Sequence, residues 1–203
     1  MHNPNGEDAV LPTDDLDELH PLMAVPHDRA VARDAACIAG ALKELLRFGS
    51  RILFVDPFFD PYSSRYKSTL RECLRIVKAL NCRAICEIHY RYHDDKPSQV
   101  ELEREAANLF RGVIPAGMAL TIYCWRQKKR GEDFHDRFLL TDKGGIGIGA
   151  GFSADGAHQT ANMHLMSYEL SQTKIRALAR TATDYELVGP VLRISSDGHV
   201  EHV

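Results

Sequence analysis

The chain has 203 residues, with 25 Lys and Arg against 28 Asp and Glu and 44% apolar residues, enough for one domain with a real core and typical of a globular protein in water. No apolar run approaches the roughly 20 residues of a membrane helix, and no signal-peptide pattern opens the chain, so a cytoplasmic protein without a transmembrane segment is expected. Five cysteines without framework spacing suit reduced thiols; Cys82 and Cys86 lack a second ligand pair at zinc spacing, so no metal and no cofactor is expected.

Residues 1–27 hold six acids (Glu7, Asp8, Asp14, Asp15, Asp17, Glu18) and no Lys or Arg, which leaves 22 acids against 25 bases in the remainder. The expected organisation is an acidic, flexible arm over 1–27 and one domain over 28–203. The arm reads either as a solubilising tail or as a cover for a basic groove. Val31, Ala35, Ile38, Leu42 and Leu45 keep helical spacing, so a helix is expected from His27-Asp28 to about Phe48, ended by Gly49.

Arg51 to Asp56 reads as a short buried strand, followed by a proline-containing loop from Pro57 to Tyr62. A helix follows over Ser64–Leu80, with Leu70, Cys73, Leu74, Val77 and Leu80 on one face. Arg83 to Tyr90 is a strand, and Ser98 with Glu101 forms a capping box for a helix to about Phe110. Met118 to Trp125 is a strand that leads into the basic loop Arg126–Gly131. A hairpin is expected from Arg137–Thr141 and Ile146–Ala150 about the turn at Lys143–Gly145. Leu165–Leu170 reads as a strand, Ser171–Thr181 as a helix and Val191–Ile194 as a last strand. Strand and helix alternate from residue 50 to 125, which predicts an α/β fold with a mixed, largely parallel sheet and helices on both faces.

The richest chemistry lies at Phe134-His135-Asp136-Arg137 and Asp142. On an extended segment side chains alternate faces, so His135 and Arg137 project together and Asp136 projects away. An imidazole beside a guanidinium suits a phosphate: the cation grips the oxygens, and the ring attacks phosphorus or moves a proton. Asp142 reads either as a site carboxylate or as part of a hairpin turn. Lys128, Lys129 and Arg130, just before the motif, read as a solvated loop or as contacts to an anionic substrate beside Tyr123 and Trp125. Asp56 follows the first strand, where ligands of parallel sheets bind, and is a substrate-contact candidate. His89, Arg91 and His93 end the next strand and read as a polar edge or as further phosphate ligands. Glu169 reads as a site carboxylate or a salt-bridge partner.

His135-x-Arg137-x4-Asp142 resembles the His-x-Lys-x4-Asp signature of the phospholipase D superfamily. It is closer to the phospholipase D-like C-terminal domain of MIT-domain proteins, which has His-Asp-Arg followed by a glycine-containing strand and turn. Here these are His135-Asp136-Arg137, Gly144-Gly145-Ile146 and Gly149-Ala150-Gly151-Phe152, and Val55-Asp56-Pro57-Phe58 resembles that family's Asp-Pro-Tyr opening. The likeness covers roughly residues 50–195. It implies a metal-independent phosphodiesterase, and the nearby basic loop makes a nuclease the foremost reading ahead of a phospholipase, with His135 as nucleophile, Arg137 as phosphate clamp and Asp142 orienting its neighbours. A single motif copy implies a homodimer that supplies two histidines across a twofold axis. The sequence departs where Arg137 replaces lysine and where Ala150 and Phe152 stand at the superfamily's Ser and Asn. Ser153 is the nearest hydroxyl that could substitute. The MIT-linked relatives share these departures and imply the alternative function, a non-catalytic module that binds anionic phospholipid headgroups or nucleic acid.

Overall fold

The computed structural model describes residues 27–94 and 96–203; the acidic arm lies outside them, His27 apart. Their elements run β1 (Asp28–Arg33), α1 (Ala35–Ala41), α2 (Lys43–Phe48), β2 (Arg51–Val55), α3 (Ser64–Leu80), β3 (Ile85–Arg91), α4 (Gln99–Leu109), β4 (Ala119–Gln127), β5 (Phe138–Thr141), β6 (Gly144–Ile148), β7 (Gly156–Met166), α5 (Tyr168–Ala177), β8 (Tyr185–Leu187), β9 (Leu192–Ser195) and β10 (Val200–His202). The strands form one sheet in the order β1-β7-β6-β5-β2-β3-β4-β9-β10, with β8 also on β4.

The fold is α/β, with the sheet mixed as expected, but the expectation of a largely parallel sheet is corrected. Only β2–β3 and β3–β4 pair in parallel, while the seven other pairings among the described residues are antiparallel. The strand–helix alternation that builds parallel neighbours spans only β2 to β4. After β4, the β5–β6–β7 run and the β9–β10 hairpin are joined by short connections, which suit antiparallel pairs.

β2 is apolar on both faces because both are covered. Ile52 and Phe54 face a core shared with Ile38 of α1, Leu46 of α2, Leu74 of α3 and Leu102 of α4. Leu53 and Val55 face a second core with Leu140, Met166, Leu178 and, from α5, Ile175. The sheet therefore lies between four helices and one. The capping box of α4 forms as expected, Glu101 N donating to Ser98 Oγ at 3.3 Å and Ser98 N to Glu101 Oε2 at 2.8 Å.

Two local expectations are corrected. The helix expected to begin at His27-Asp28 instead starts after Asp34, whose Oδ1 accepts from Ala36 N at 2.9 Å and Cys37 N at 3.3 Å. Residues 28–33 before it are strand β1, paired to β7. The strand expected at Leu165–Leu170 belongs to β7 only as far as Met166. Ser167 then caps α5, accepting from Leu170 N at 3.2 Å.

Candidate functional site

β2, β3 and β4 run in parallel, and β5 runs antiparallel to β2 with Val55 opposite Phe138. The carboxyl ends of β2, β3 and β4, the amino end of β5 and the carboxyl end of β6 therefore share one end of the sheet. Asp56–Phe59, Arg91–His93, His135–Arg137 and Gly149–Ser153 all emerge there.

Phe58 is the centre of this group. Arg137 Cζ lies 4.5 Å and Arg91 Cζ 5.4 Å from the centre of its ring, inside the range of cation–π attraction. The His135 ring meets it edge-on at 5.8 Å, and the His93 ring lies 6.0 Å away. Four residues expected at the phosphate site thus gather on one aromatic ring. In the sequence Phe58 stands out only as part of a motif, because nothing in sequence spacing shows a hub. His135 keeps 56% of its side chain exposed, and its nearest carboxylate, Asp136, is 3.8 Å away.

Asp56, expected to contact substrate, is 2% exposed and braces the site from beneath. Its Oδ1 accepts from Phe58 N at 3.0 Å and its Oδ2 from Phe152 N at 2.9 Å, joining the loops after β2 and β6. Burial pushes its pKa up, against the pull of these hydrogen bonds and of the Arg137 and Lys96 charges. Lys96 Nζ fixes the same loop by donating to Phe58 O at 3.1 Å and Phe59 O at 3.0 Å. Gly151 has φ +70°, and a Cβ there would strike the Asp56 carboxylate and lie 3.3 Å from Arg137 Cγ.

On the α3 side, Arg33, Phe58, Arg65, Tyr66, His93 and Arg137 help line a cleft of about 670 Å³, a size ordinary for a ligand site. The first turn of α3 borders this cleft, and its dipole adds positive potential. Ser153 lines it too, but its hydroxyl donates to Asp155 Oδ1 at 3.0 Å. Arg65 Nη1 binds the same oxygen at 2.7 Å, and Arg33 binds Oδ2. The hydrogen bond from Arg65 leads in holding the Asp155 carboxyl below its ordinary pKa.

Other expected residues fall elsewhere. Asp142 sits at the opposite end of β5, by strand geometry roughly 17 Å along the chain from Arg137. There its Oδ1 accepts from Ser50 N at 2.7 Å, so it holds the entry to β2. Lys128, Lys129 and Arg130 are exposed beside the end of β4 and border neither hollow next to Arg137, and Lys128 Nζ donates to Thr183 O at 2.5 Å. His89 is fully buried, accepting from Trp125 Nε1 at Nδ1, 3.0 Å, and bonding Glu87 Oε2 through Nε2, 3.0 Å. Arg51 closes this chain with two bonds to Glu87, at 2.9 and 2.7 Å. Both ring nitrogens of His89 are thereby used inside the core. Glu169 is exposed in the first turn of α5. Among the described residues, no cluster of three or more His, Cys, Asp or Glu side chains is placed to hold a metal ion, and no helix is long and apolar enough to cross a membrane.

No family model matches this chain, and no curated protein matches it. Among solved structures, it is similar to phosphatidylserine synthase from Haemophilus influenzae Rd KW20, over 77% of this chain and 38% of that one, at 15% identity and a TM-score of 0.49. It is also similar to TrmBL2, an archaeal chromatin protein, over 75% of this chain and 50% of that one, at 12% identity and a TM-score of 0.39. The chain spans half or less of either neighbour, and neither likeness is close enough to carry an argument about function.

Proposed function

We propose that the end of the sheet around Phe58 binds a phosphodiester group, with Arg137 as its clamp. The observation that carries this reading is the convergence of Arg91, His93, His135 and Arg137 on one ring, from two segments more than 40 positions apart. A guanidinium held over an aromatic face can meet phosphate oxygens as a planar fork; Arg137 gives one N–H to Gly149 O at 3.4 Å, whereas Arg91 is already paired with Asp133 at 3.2 Å, so Arg137 is the clamp. The hairpin after His-x-Arg, the glycine turn behind it and the buried Asp56 agree with a phospholipase D-like site. Binding without turnover is the better-supported role. Ala150 and Phe152 offer no polar side chain, the Ser153 hydroxyl is engaged by Asp155, and Asp136 stands too far from His135 to orient it by a hydrogen bond. A missing donor to developing charge costs about 3 kcal/mol of transition-state stabilisation.

A second reading, metal-independent hydrolysis, is favoured by the exposure of His135 beside Arg137. In it an imidazole nitrogen attacks phosphorus, the P–O bond to the leaving group breaks, and that oxygen takes a proton from a second histidine. Water then cleaves the phosphohistidine. His93, on the same ring, or His135 of a second copy of the chain would be the proton donor.

Labelled single-stranded DNA and vesicles containing phosphatidylserine, titrated in EDTA, test both readings. Arg137→Ala is expected to weaken binding by tenfold or more, and His135→Ala to change it little. Unchanged binding in Arg137→Ala overturns the site. EDTA-resistant cleavage that disappears in His135→Ala establishes the hydrolytic reading.

A further inference from the structure

Arg137 borders a second hollow, of about 470 Å³, which includes His135, Phe138, His164, Met166, Leu170 and Lys174. This hollow lies on the α5 face of the sheet, whereas the larger cleft lies on the α3 face. The two meet over the sheet's end, where Arg137 lines both. A phosphodiester has two substituents that leave phosphorus in different directions, and a monoester has one. Two hollows meeting at one phosphate clamp therefore match a diester whose arms pass to opposite faces.

The hollows differ in chemistry. The α3-side cleft is lined by four cations, Arg33, Arg65, Lys96 and Arg137, against Asp60 and Asp155, with Arg33 and Arg65 both paired to Asp155. The α5-side hollow has Met166, Leu170 and Phe138 as apolar walls and the His164 ring as a flat one. Phe138, Gly147 and His164 are register partners across β5, β6 and β7. Partners in register face the same way, and glycine leaves a gap between the two rings. The His164 ring lies over that gap so closely that a Cβ at 147 would overlap it. Glycine at 147 thus lets the exposed His164 ring lie close against the sheet, in the hollow that Arg137 borders.

We propose that this hollow is a base-binding subsite and that the ligand is a single strand of nucleic acid, one base stacking on His164 while Arg137 holds the adjoining phosphate. The inference rests on the phosphodiester reading of Arg137. Flat, sequence-tolerant stacking beside a cationic track is how single strands are held. The cations at this end of the sheet favour a polymer over one headgroup. From Arg33 at the end of β1, through Arg137 and Arg91, to Arg126 at the end of β4 they span six strand spacings, roughly 29 Å, room for several successive phosphates.

The test compares a labelled oligothymidylate with an abasic strand of the same length, at low salt, for wild type, His164→Ala, His164→Phe and Arg137→Ala. Wild type is expected to bind the base-bearing strand about tenfold more tightly, as stacking of one base predicts. His164→Ala should erase that preference and leave abasic affinity unchanged, and His164→Phe should restore it. Equal binding of both strands by wild type, or a preference that survives His164→Ala, overturns the subsite while the phosphate reading stands. Arg137-dependent binding to phosphatidylserine vesicles without binding to either strand overturns the choice of nucleic acid. Loss of neither strand nor vesicles in Arg137→Ala overturns the phosphodiester reading itself.

Discussion

The guanidinium carbon of Arg137 stands 4.5 Å from the ring centre of Phe58, and the same ring carries Arg91 at 5.4 Å. Two like charges held at one aromatic ring repel, and the quadrupole of the ring offsets part of that cost. Replacing the ring releases both guanidinium groups. Phe58→Ala is therefore expected to weaken phosphodiester binding by about fivefold, as the loss of about 1 kcal/mol of preorganisation implies. Phe58→Tyr should bind nearly as wild type. Anisotropy titrations of the three proteins check this, and equal affinities would remove Phe58 from the site.

Gly151 joins the site to its buried brace. At φ +70° a Cβ costs about 1 kcal/mol, and here it also strikes the Asp56 carboxylate. Relief would displace Asp56 from the N–H groups of Phe58 and Phe152. Gly151→Ala is expected to destabilise the fold by about 2–4 kcal/mol and to weaken ligand binding together with stability. Urea unfolding alongside binding measures both. A variant of wild-type stability would show that the turn relaxes without cost.

The helices and strands from residue 50 to 125 were legible because each carries its own signal. β2 is a short apolar run, α3 has an apolar stripe of which Leu70, Cys73, Leu74 and Val77 are buried and Leu80 is exposed, and α4 has a capping box. β1 was not legible, because Val31, Ala35 and Ile38 fit a helical stripe that runs through the true cap at Asp34. What makes 28–33 a strand is β7, more than 120 residues later, and β7 itself alternates weakly, with Gln159, Thr160, Asn162 and His164 exposed. The site was legible to the same degree. His135 and Arg137 are neighbours in the chain and in space. Phe58, Arg33 and His164 reach them only through strand order, and Asp142, five residues from Arg137, is carried to the far end of a strand.

That displacement makes Asp142 a residue of stability. Burial acts to raise its pKa, but hydrogen bonds from Lys143, Ser50 and Arg51 outweigh it and hold the carboxyl below its ordinary value. Asp142→Ala should lower stability by about 1–2 kcal/mol, seen in the denaturant midpoint. Phosphodiester affinity measured on the folded variant should match wild type. A loss of affinity at unchanged stability would return Asp142 to the site.

The buried chain from Arg51 through Glu87 and His89 to Trp125 predicts how the fold responds to acid. Trp125 Nε1 donates to His89 Nδ1, so Nδ1 is unprotonated and Nε2–H faces Glu87. Burial drives the pKa of His89 down despite that carboxylate. Burial works to raise Glu87, but hydrogen bonds from His89 and Arg51 prevail and hold it low. For His89 the folded pKa lies below the unfolded value of about 6.5. Its contribution is full above that pH and falls as pH drops, because the unfolded chain then binds a proton that the fold refuses. Glu87 has the same sign one window lower, losing its contribution as pH falls below about 4.3. The urea midpoint is therefore expected to decrease between pH 7.5 and 5.5, before carboxylates titrate. His89→Gln, less stable at pH 7.5, should show a smaller decrease over the same interval. An identical pH slope in the variant would mean that His89 is not held neutral, and that its ring, stacked on Tyr123 at 4.6 Å and on Trp125 at 6.0 Å between ring centres, is kept in place by packing alone.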